Sequence, residues 1–219
     1  MVFTDQIYQL ARPLWLKSIH HPFIKQLVSG QLSLSQFRFY LLQDRYYLSE
    51  FGKLHYLIAD KLTDKKAIDF LLSGAKGLKN GEIEERKVFF DKLHITSQEI
   101  KLTPISPTAY NYVNHMYAAL YRGSVQQGIA ALLPCYWLYN EIGKNLVKKS
   151  SPVSFYSQWL NTYASSTFTS STQQIINLTN QVADKASQNI KQKMSQDFIR
   201  SSYFELHYWD MPFTKESWD

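Results

Sequence analysis

The sequence predicts an all-α protein that folds as one domain over residues 1–219. Helical apolar spacing recurs along the whole chain while strand-like alternation is almost absent. Only 8 glycines are present. No internal repeat or low-complexity block divides the chain. Breaks at Ser18–Pro22, Ser29–Ser33, Lys79–Glu82, Thr96–Pro107, Arg122–Ser124, Ser150–Pro152 and Ala164–Ser166 cut it into about eight helices of ordinary to long length.

The N-terminal segment MVFTDQIYQLARPLW lacks the basic start and long apolar core of a secretory signal, and one cysteine excludes an internal disulfide. A cytoplasmic location is the expectation. The next long helix spans Ser35 to Leu62, opened by a Ser33 cap three residues before Gln36. Its apolar stripe is Phe37, Tyr40, Leu41, Tyr47, Leu48, Phe51, Leu54 and Ile58, and Asp44 falls on that stripe. A carboxylate aimed into an apolar interior is costly unless paired, hydrogen-bonded or protonated. An internal ion pair or a tyrosine partner accounts for Asp44 as well as a functional role does.

Thr96 to Ser106 reads as the longest non-helical segment, too short for an interdomain linker. Ser106-Pro107 then starts a helix with a cap followed by proline at the first helical position, and Ser151-Pro152 repeats the device. Between them, ALLPCYWLYNEIG puts Pro134 and Cys135 inside an otherwise buried helix. Pro134 deletes a hydrogen bond to Ala130 and crowds that turn, a disturbance of ~3 kcal/mol that predicts a kink. The thiol itself stays undecided: an unpaired cysteine is usually a small buried hydrophobe, and no histidine or basic residue lies within one turn to activate it. The C-terminal segment FIRSSYFELHYWDMPF repeats the puzzle of Asp44. Glu205 shares a face with Phe198, Ile199, Ser202, Tyr208 and Trp209. Two interior acids on separate helices can have their proton affinities pushed apart, which makes a site.

Composition narrows the function classes. Apolar residues are 45% and aromatic ones 15%, with 15 tyrosines and 13 phenylalanines, more rings than a helical core needs for packing. The net charge is +6 and the pI about 9.2, yet the basic residues are scattered and their short groups at 64–66, 144–149 and 185–193 read as solvated helix ends. Nucleic acid is not an expected partner. No run reaches the ~18 to 20 apolar residues needed to span a bilayer. Phosphate loops, dinucleotide fingerprints and serine elbows are missing, as are the Glu-x-x-His motifs of di-iron bundles. Asp91-Lys-Leu-His94 is solitary, and His20-His21-Pro22 reads more readily as a loop and cap than as a ligand pair.

Taken together, HPFIKQL, FRFYLLQDRYYLSEF, LLPCYWLYNEIG and YFELHYWDM resemble the TenA family, also called thiaminase II, of the haem-oxygenase-like helical fold. The resemblance runs from the first helix to the last. It implies a homotetrameric hydrolase of thiamin salvage that needs no metal or organic cofactor. The implied reactions convert 4-amino-5-aminomethyl-2-methylpyrimidine to its 5-hydroxymethyl counterpart plus ammonia, and cleave thiamin to hydroxymethylpyrimidine and thiazole alcohol. In the same terms Cys135 matches the nucleophile and Glu205 the catalytic acid, and Asp44 matches the carboxylate on the pyrimidine amino edge. Tyr47, Tyr112, Tyr139 and Tyr163 match ring-stacking or hydrogen-bonding positions. Phe51 and Tyr208 stand where family members vary between aromatics, phenylalanine being usual at the latter. A haem or di-iron oxidoreductase on the same fold, or a non-enzymatic regulatory binding protein, are the rival readings. The first lacks its ligand histidines and acids; the second rests on the basic charge alone.

Overall fold

The computed structural model describes residues 2–147 and 151–219, with only the helical backbone over 79–86. Among the described residues there is no strand. The helices are α1 (Phe3–Ile19), α2 (Pro22–Ser29), α3 (Leu34–Ala59), α4 (Lys65–Lys92), α5 (Ser97–Leu102), α6 (Pro107–Ala118), α7 (Val125–Leu146), α8 (Ser154–Ala164), α9 (Ser166–Asp184) and α10 (Gln188–Thr214), with a π-helical turn, Ala119–Gly123, joining α6 to α7.

The centre is α7. Every residue from Gln127 to Pro134 is buried, and a helix apolar on all sides belongs inside the bundle. It packs against α10, α9 and α8, while α3 is sandwiched between α4 and α6, and α1 lies along α10. Side-chain bonds tie these layers: Trp15 Nε1 donates to Ser202 Oγ at 2.9 Å, and Asn180 both accepts from Thr4 N and donates to Thr4 Oγ1, each at 2.9 Å.

Local chemistry sets most helix starts. Ser33 accepts from Gln36 N at 3.2 Å and Ser106 from Ala109 N at 3.3 Å, with Pro107 at the first helical position. His21 caps α2: its Nδ1 accepts from Phe23 N at 3.1 Å, and its Nε2 lies 2.9 Å from Asp210 Oδ1. Both ring nitrogens are therefore engaged, which suits the loop-and-cap reading of His20-His21-Pro22. Gly30 ends α2 in the left-handed region at φ 77°, and a Cβ there would stand 2.7 Å from Pro152 Cγ.

Three boundaries differ from the sequence expectation. The break expected at Lys79–Glu82 lies inside continuous α4, because a glycine inside a helix costs only ~1 kcal/mol and packing overrides it. The segment read as non-helical from Thr96 to Ser106 contains α5, capped by Thr96 on Glu99 N at 3.1 Å and held by Arg38, which donates to both Glu99 oxygens at 2.7 and 2.6 Å. The helix expected from Ser151-Pro152 begins two residues later, since Ser151 Oγ accepts from Val153 N at 3.3 Å and Pro152 packs over Gly30 instead. The count accordingly exceeds eight. Part of the basic group at 144–149, Lys148 and Lys149, lies outside the described residues.

Candidate active site

Helical spacing alone brings three expected residues together on α3. Asp44, Tyr47 and Phe51 follow at intervals of three and four and are all buried, with Asp44 only 6% exposed. Opposite stands Glu205 of α10, 1% exposed. Tyr112 of α6 donates its hydroxyl hydrogen bond to Glu205 Oε1 at 2.7 Å. From α7 come Cys135 and, one turn later, Tyr139.

The electrostatics bind these groups into one chamber. Burial, reinforced by the charge of Asp44 and opposed by the Tyr112 hydrogen bond, pushes the Glu205 carboxyl up to about 8. At neutral pH this acid holds its proton. The Tyr47 phenol is raised well above its usual range by burial and then by the nearby Cys135 sulfur, while its hydroxyl faces Met116 Sδ at 3.9 Å. Tyr112 feels burial, Glu205 and Cys135; Tyr139 feels burial, Tyr40, Glu205, Tyr163 and Asp44. Cys135 is partly exposed although the turns before it are wholly buried, and it packs against the edge of the core.

Aromatic rings surround these groups. Tyr47 meets Phe51 at 5.4 Å and 21°, Tyr112 at 5.0 Å and Tyr208 at 5.6 Å between centroids. On the other side Tyr139 meets Tyr163 at 4.7 Å and Trp209 at 5.3 Å, while Trp159 meets Tyr163 at 4.8 Å. Phe51 reaches the chamber at second hand, through Tyr47, and also packs on His55 at 4.7 Å.

Why Tyr163 stands there is written in the end of the α7 motif. A Cβ on Gly143 would come within 2.5 Å of the Tyr163 carbonyl carbon, so only glycine lets the α8–α9 corner close on α7. Asn140 then pins that corner by donating to Tyr163 O at 3.0 Å and Thr169 Oγ1 at 2.9 Å.

Sequence reasoning missed several supporting groups. Tyr40 was placed on the apolar stripe but given no role; its phenol lies beside Asp44, Tyr163 and Tyr208. His55 is fully buried. Its Nδ1–H donates to Phe51 O at 2.7 Å, which leaves Nε2 to accept from Tyr136 Oη at 2.6 Å. Burial pushes the His55 imidazole down to about 4, so it is neutral near pH 7. The usable signal was a histidine on the interior stripe of α3, one turn after Phe51. Among the described residues no group of three or more histidine, cysteine or acidic side chains is placed to hold a metal ion.

The interior of this all-α bundle gathers one thiol, two carboxyl groups and several tyrosines, and this cluster is the candidate active site of a helical enzyme. The family model described as TENA/THI-4/PQQC matches residues 8–215, and this chain belongs to that family. The aminopyrimidine aminohydrolase of Bacillus subtilis (strain 168) is 34% identical over 218 residues, covering 100% of this chain and 92% of that relative. A solved TenA homologue from P. horikoshii OT3 superposes with a TM-score of 0.87 at 28% identity, over 98% of this chain and 99% of that one. A domain with a haem-oxygenase-like fold from Shewanella denitrificans OS217 matches at a TM-score of 0.75 and 11% identity, over 97% of this chain and 92% of that one. That is a likeness of fold, and it gives this bundle the same architecture.

Proposed function

We propose that the chain is a hydrolase acting on C–N bonds in thiamin salvage, converting 4-amino-5-aminomethyl-2-methylpyrimidine to the 5-hydroxymethyl compound and ammonia, and cleaving thiamin to hydroxymethylpyrimidine and thiazole alcohol. The observation that carries this reading is the buried, proton-holding Glu205, bonded to Tyr112 and sharing its chamber with Cys135 and Asp44.

The chemistry follows from the substrate. A leaving group on the methylene of an aromatic pyrimidine departs only when electrons are pushed toward it. The Cys135 thiolate adds to the adjacent ring carbon, breaking aromaticity, while Glu205 delivers its proton to a ring nitrogen. The enamine so formed expels the amine, which leaves as ammonia, and water adds to the exposed methylene. The sulfur then departs as thiolate, the ring nitrogen returns its proton to Glu205, and aromaticity is restored. Asp44, as a carboxylate, accepts from the amino group, a use that compensates its burial. Tyr47, Tyr112, Tyr139, Tyr163 and Tyr208 stack on or hydrogen-bond the ring and keep bulk water away, with Phe51 backing Tyr47.

Pro134 is given a role in aiming the thiol. It has no N–H to offer Ala130 O within α7, which runs as one helix from Val125 to Leu146, and the missing bond frees the Ala130 turn to set the direction of Cys135 toward the ring. A Pro134→Ala variant should lose activity at unchanged expression and fold; full activity in that variant removes this part. The chain further acts as a cytoplasmic homotetramer, checked by light scattering of the eluted protein, where a monomer would contradict it. The direct test is incubation of the purified protein with the aminomethylpyrimidine and, separately, with thiamin, beside Cys135→Ser. Hydroxymethylpyrimidine from the wild type and none from the variant is the expected result. No product from a folded wild-type protein would overturn the reading.

A further inference from the structure

The start of α6 is gripped from two directions. From inside, Gln43, the buried neighbour of Asp44 on α3, accepts from Ser106 N at 2.8 Å and donates to Pro104 O at 3.0 Å. From outside, the chain reverses after α10 at Lys215, a non-glycine residue in the left-handed region at φ 50°, and returns over α6. There Glu216 accepts from Thr108 N at 2.8 Å and from Thr108 Oγ1 at 2.9 Å. Two residues on, Trp218 Nε1 donates to Ile105 O at 2.9 Å, and its ring meets Tyr110 edge-on at 5.7 Å.

The bonding pattern has a chemical reason. Pro107 has no N–H, and Ser106 already takes that of Ala109, so Thr108 presents the remaining first-turn donor of α6. A carboxylate is the favoured partner at the positive end of a helix. Thr108 lies one turn before Tyr112, and Glu216 lies three turns after Glu205. The tail that follows α10 thus adds a joint at Thr108 to those that tie α6 to α10 itself, Tyr112–Glu205, Ser106 Oγ–Met211 Sδ at 2.7 Å and His115 Nε2–Asp197 O at 3.2 Å. Of these joints, the one at Thr108 is the only charged one at the first turn of α6, one turn from Tyr112, and it fixes where that turn sits.

We propose that Glu216, assisted by Trp218, is a positioning residue that sets the Tyr112–Glu205 hydrogen bond by holding the first turn of α6 against α10. It touches no substrate and acts only through Tyr112. Its part in the reaction rests on the hydrolase reading above; its mechanical part does not, and the two are separable by experiment. Groups facing Glu205 are Tyr112 from α6, Asp44 and Tyr47 from α3, and Tyr139 from α7. Of these the Tyr112 bond is the one that opposes the upward push of burial on Glu205.

The experiment compares wild type, Glu216→Ala, Glu216→Gln and Trp218→Phe, each with and without Glu205→Gln. The infrared carboxyl band that Glu205→Gln deletes is titrated from pH 6 to 10 and needs no turnover. Glu216→Ala should move that titration upward, toward the position found in Tyr112→Phe, and Glu216→Gln, which keeps an acceptor for Thr108, should restore it. With substrate, Glu216→Ala should lower kcat about tenfold with KM held within about twofold, less than the ~10²-fold that a 1 Å misplacement of a reacting group can cost. Trp218→Phe, which keeps the ring contact but loses the bond to Ile105 O, should fall between wild type and Glu216→Ala in both readouts. An unchanged Glu205 titration in folded Glu216→Ala overturns the proposal, and so does an equal shift in the Gln variant. A wild type without hydrolase activity but with the titration shift would overturn the catalytic reading and leave the positioning role standing.

Discussion

Two buried acids on α10 stand two turns apart, and they differ in everything except burial. Asp197, 3% exposed, takes a hydrogen bond from Gln127 Nε2 at 2.7 Å and an ion pair from Arg200 at 3.1 Å, with His115 Nε2 against its backbone oxygen at 3.2 Å. It has a cation and an amide, and it fastens α6, α7 and α10 together. Glu205, 1% exposed, has a neutral phenol and, nearby, a second carboxylate. Its cheapest state is the protonated one. Burial therefore does not separate a structural acid from a chemical one; the charge of the partners does.

This contrast sets the order of expected effects. Largest is Glu205→Gln, which should cost ~10²- to 10⁴-fold in kcat, the usual span for a general acid, measured as hydroxymethylpyrimidine formed per minute. The same variant tests the linkage. The folded carboxyl sits at about 8 against an ordinary value of 4.5, so the folded state holds the extra proton between those values. Wild-type stability should fall as pH rises through that window, by at most ~1.4 kcal/mol per unit, and Glu205→Gln should flatten the slope in urea unfolding at pH 5, 6.5 and 8.

Next is Asp44→Asn, which keeps size but loses the charge that meets the pyrimidine edge. KM should rise about ten- to hundredfold, in line with ~1.5–3 kcal/mol for a charged hydrogen bond, and the Glu205 titration should move down because the nearby negative charge is gone. Asp197→Asn is expected to invert the pattern: kcat within about twofold of wild type, but ~1–3 kcal/mol less stable in denaturant, the range for a disturbed buried polar partner. An Asp197→Asn protein that is stable and catalytically dead would erase the distinction between the two acids. Smallest is His55→Asn. The loss of the bonds to Phe51 O and Tyr136 should show as a lowered melting temperature, with a shift in KM of only a few-fold because Phe51 meets the chamber through Tyr47.

Much of the site was legible in the sequence because helical periodicity is a local signal. Asp44 and Glu205 were marked by falling on apolar faces, and Cys135 by its proline. Their pairing was not legible. Tyr112 and Glu205 are 93 positions apart, and nothing local to either says that they meet. Gly143 and Asn140 sat in a quoted motif, but their work is done against Tyr163 and Thr169 on the next helices, and a close backbone approach leaves no periodic trace. Boundaries failed for the same reason. Arg38 of α3 stabilises α5 and Pro152 is spent on Gly30, both through tertiary contacts that override a cap motif read in isolation.

The account turns on one acid that keeps its proton in neutral solution. The most direct measurement is the infrared difference spectrum between wild type and Glu205→Gln across pH 5.5 to 9.5. A protonated carboxyl band present at pH 7 and lost near pH 8 is the expected result. A carboxylate already ionised at pH 6 would contradict it, leaving the ring nitrogen without its proton donor.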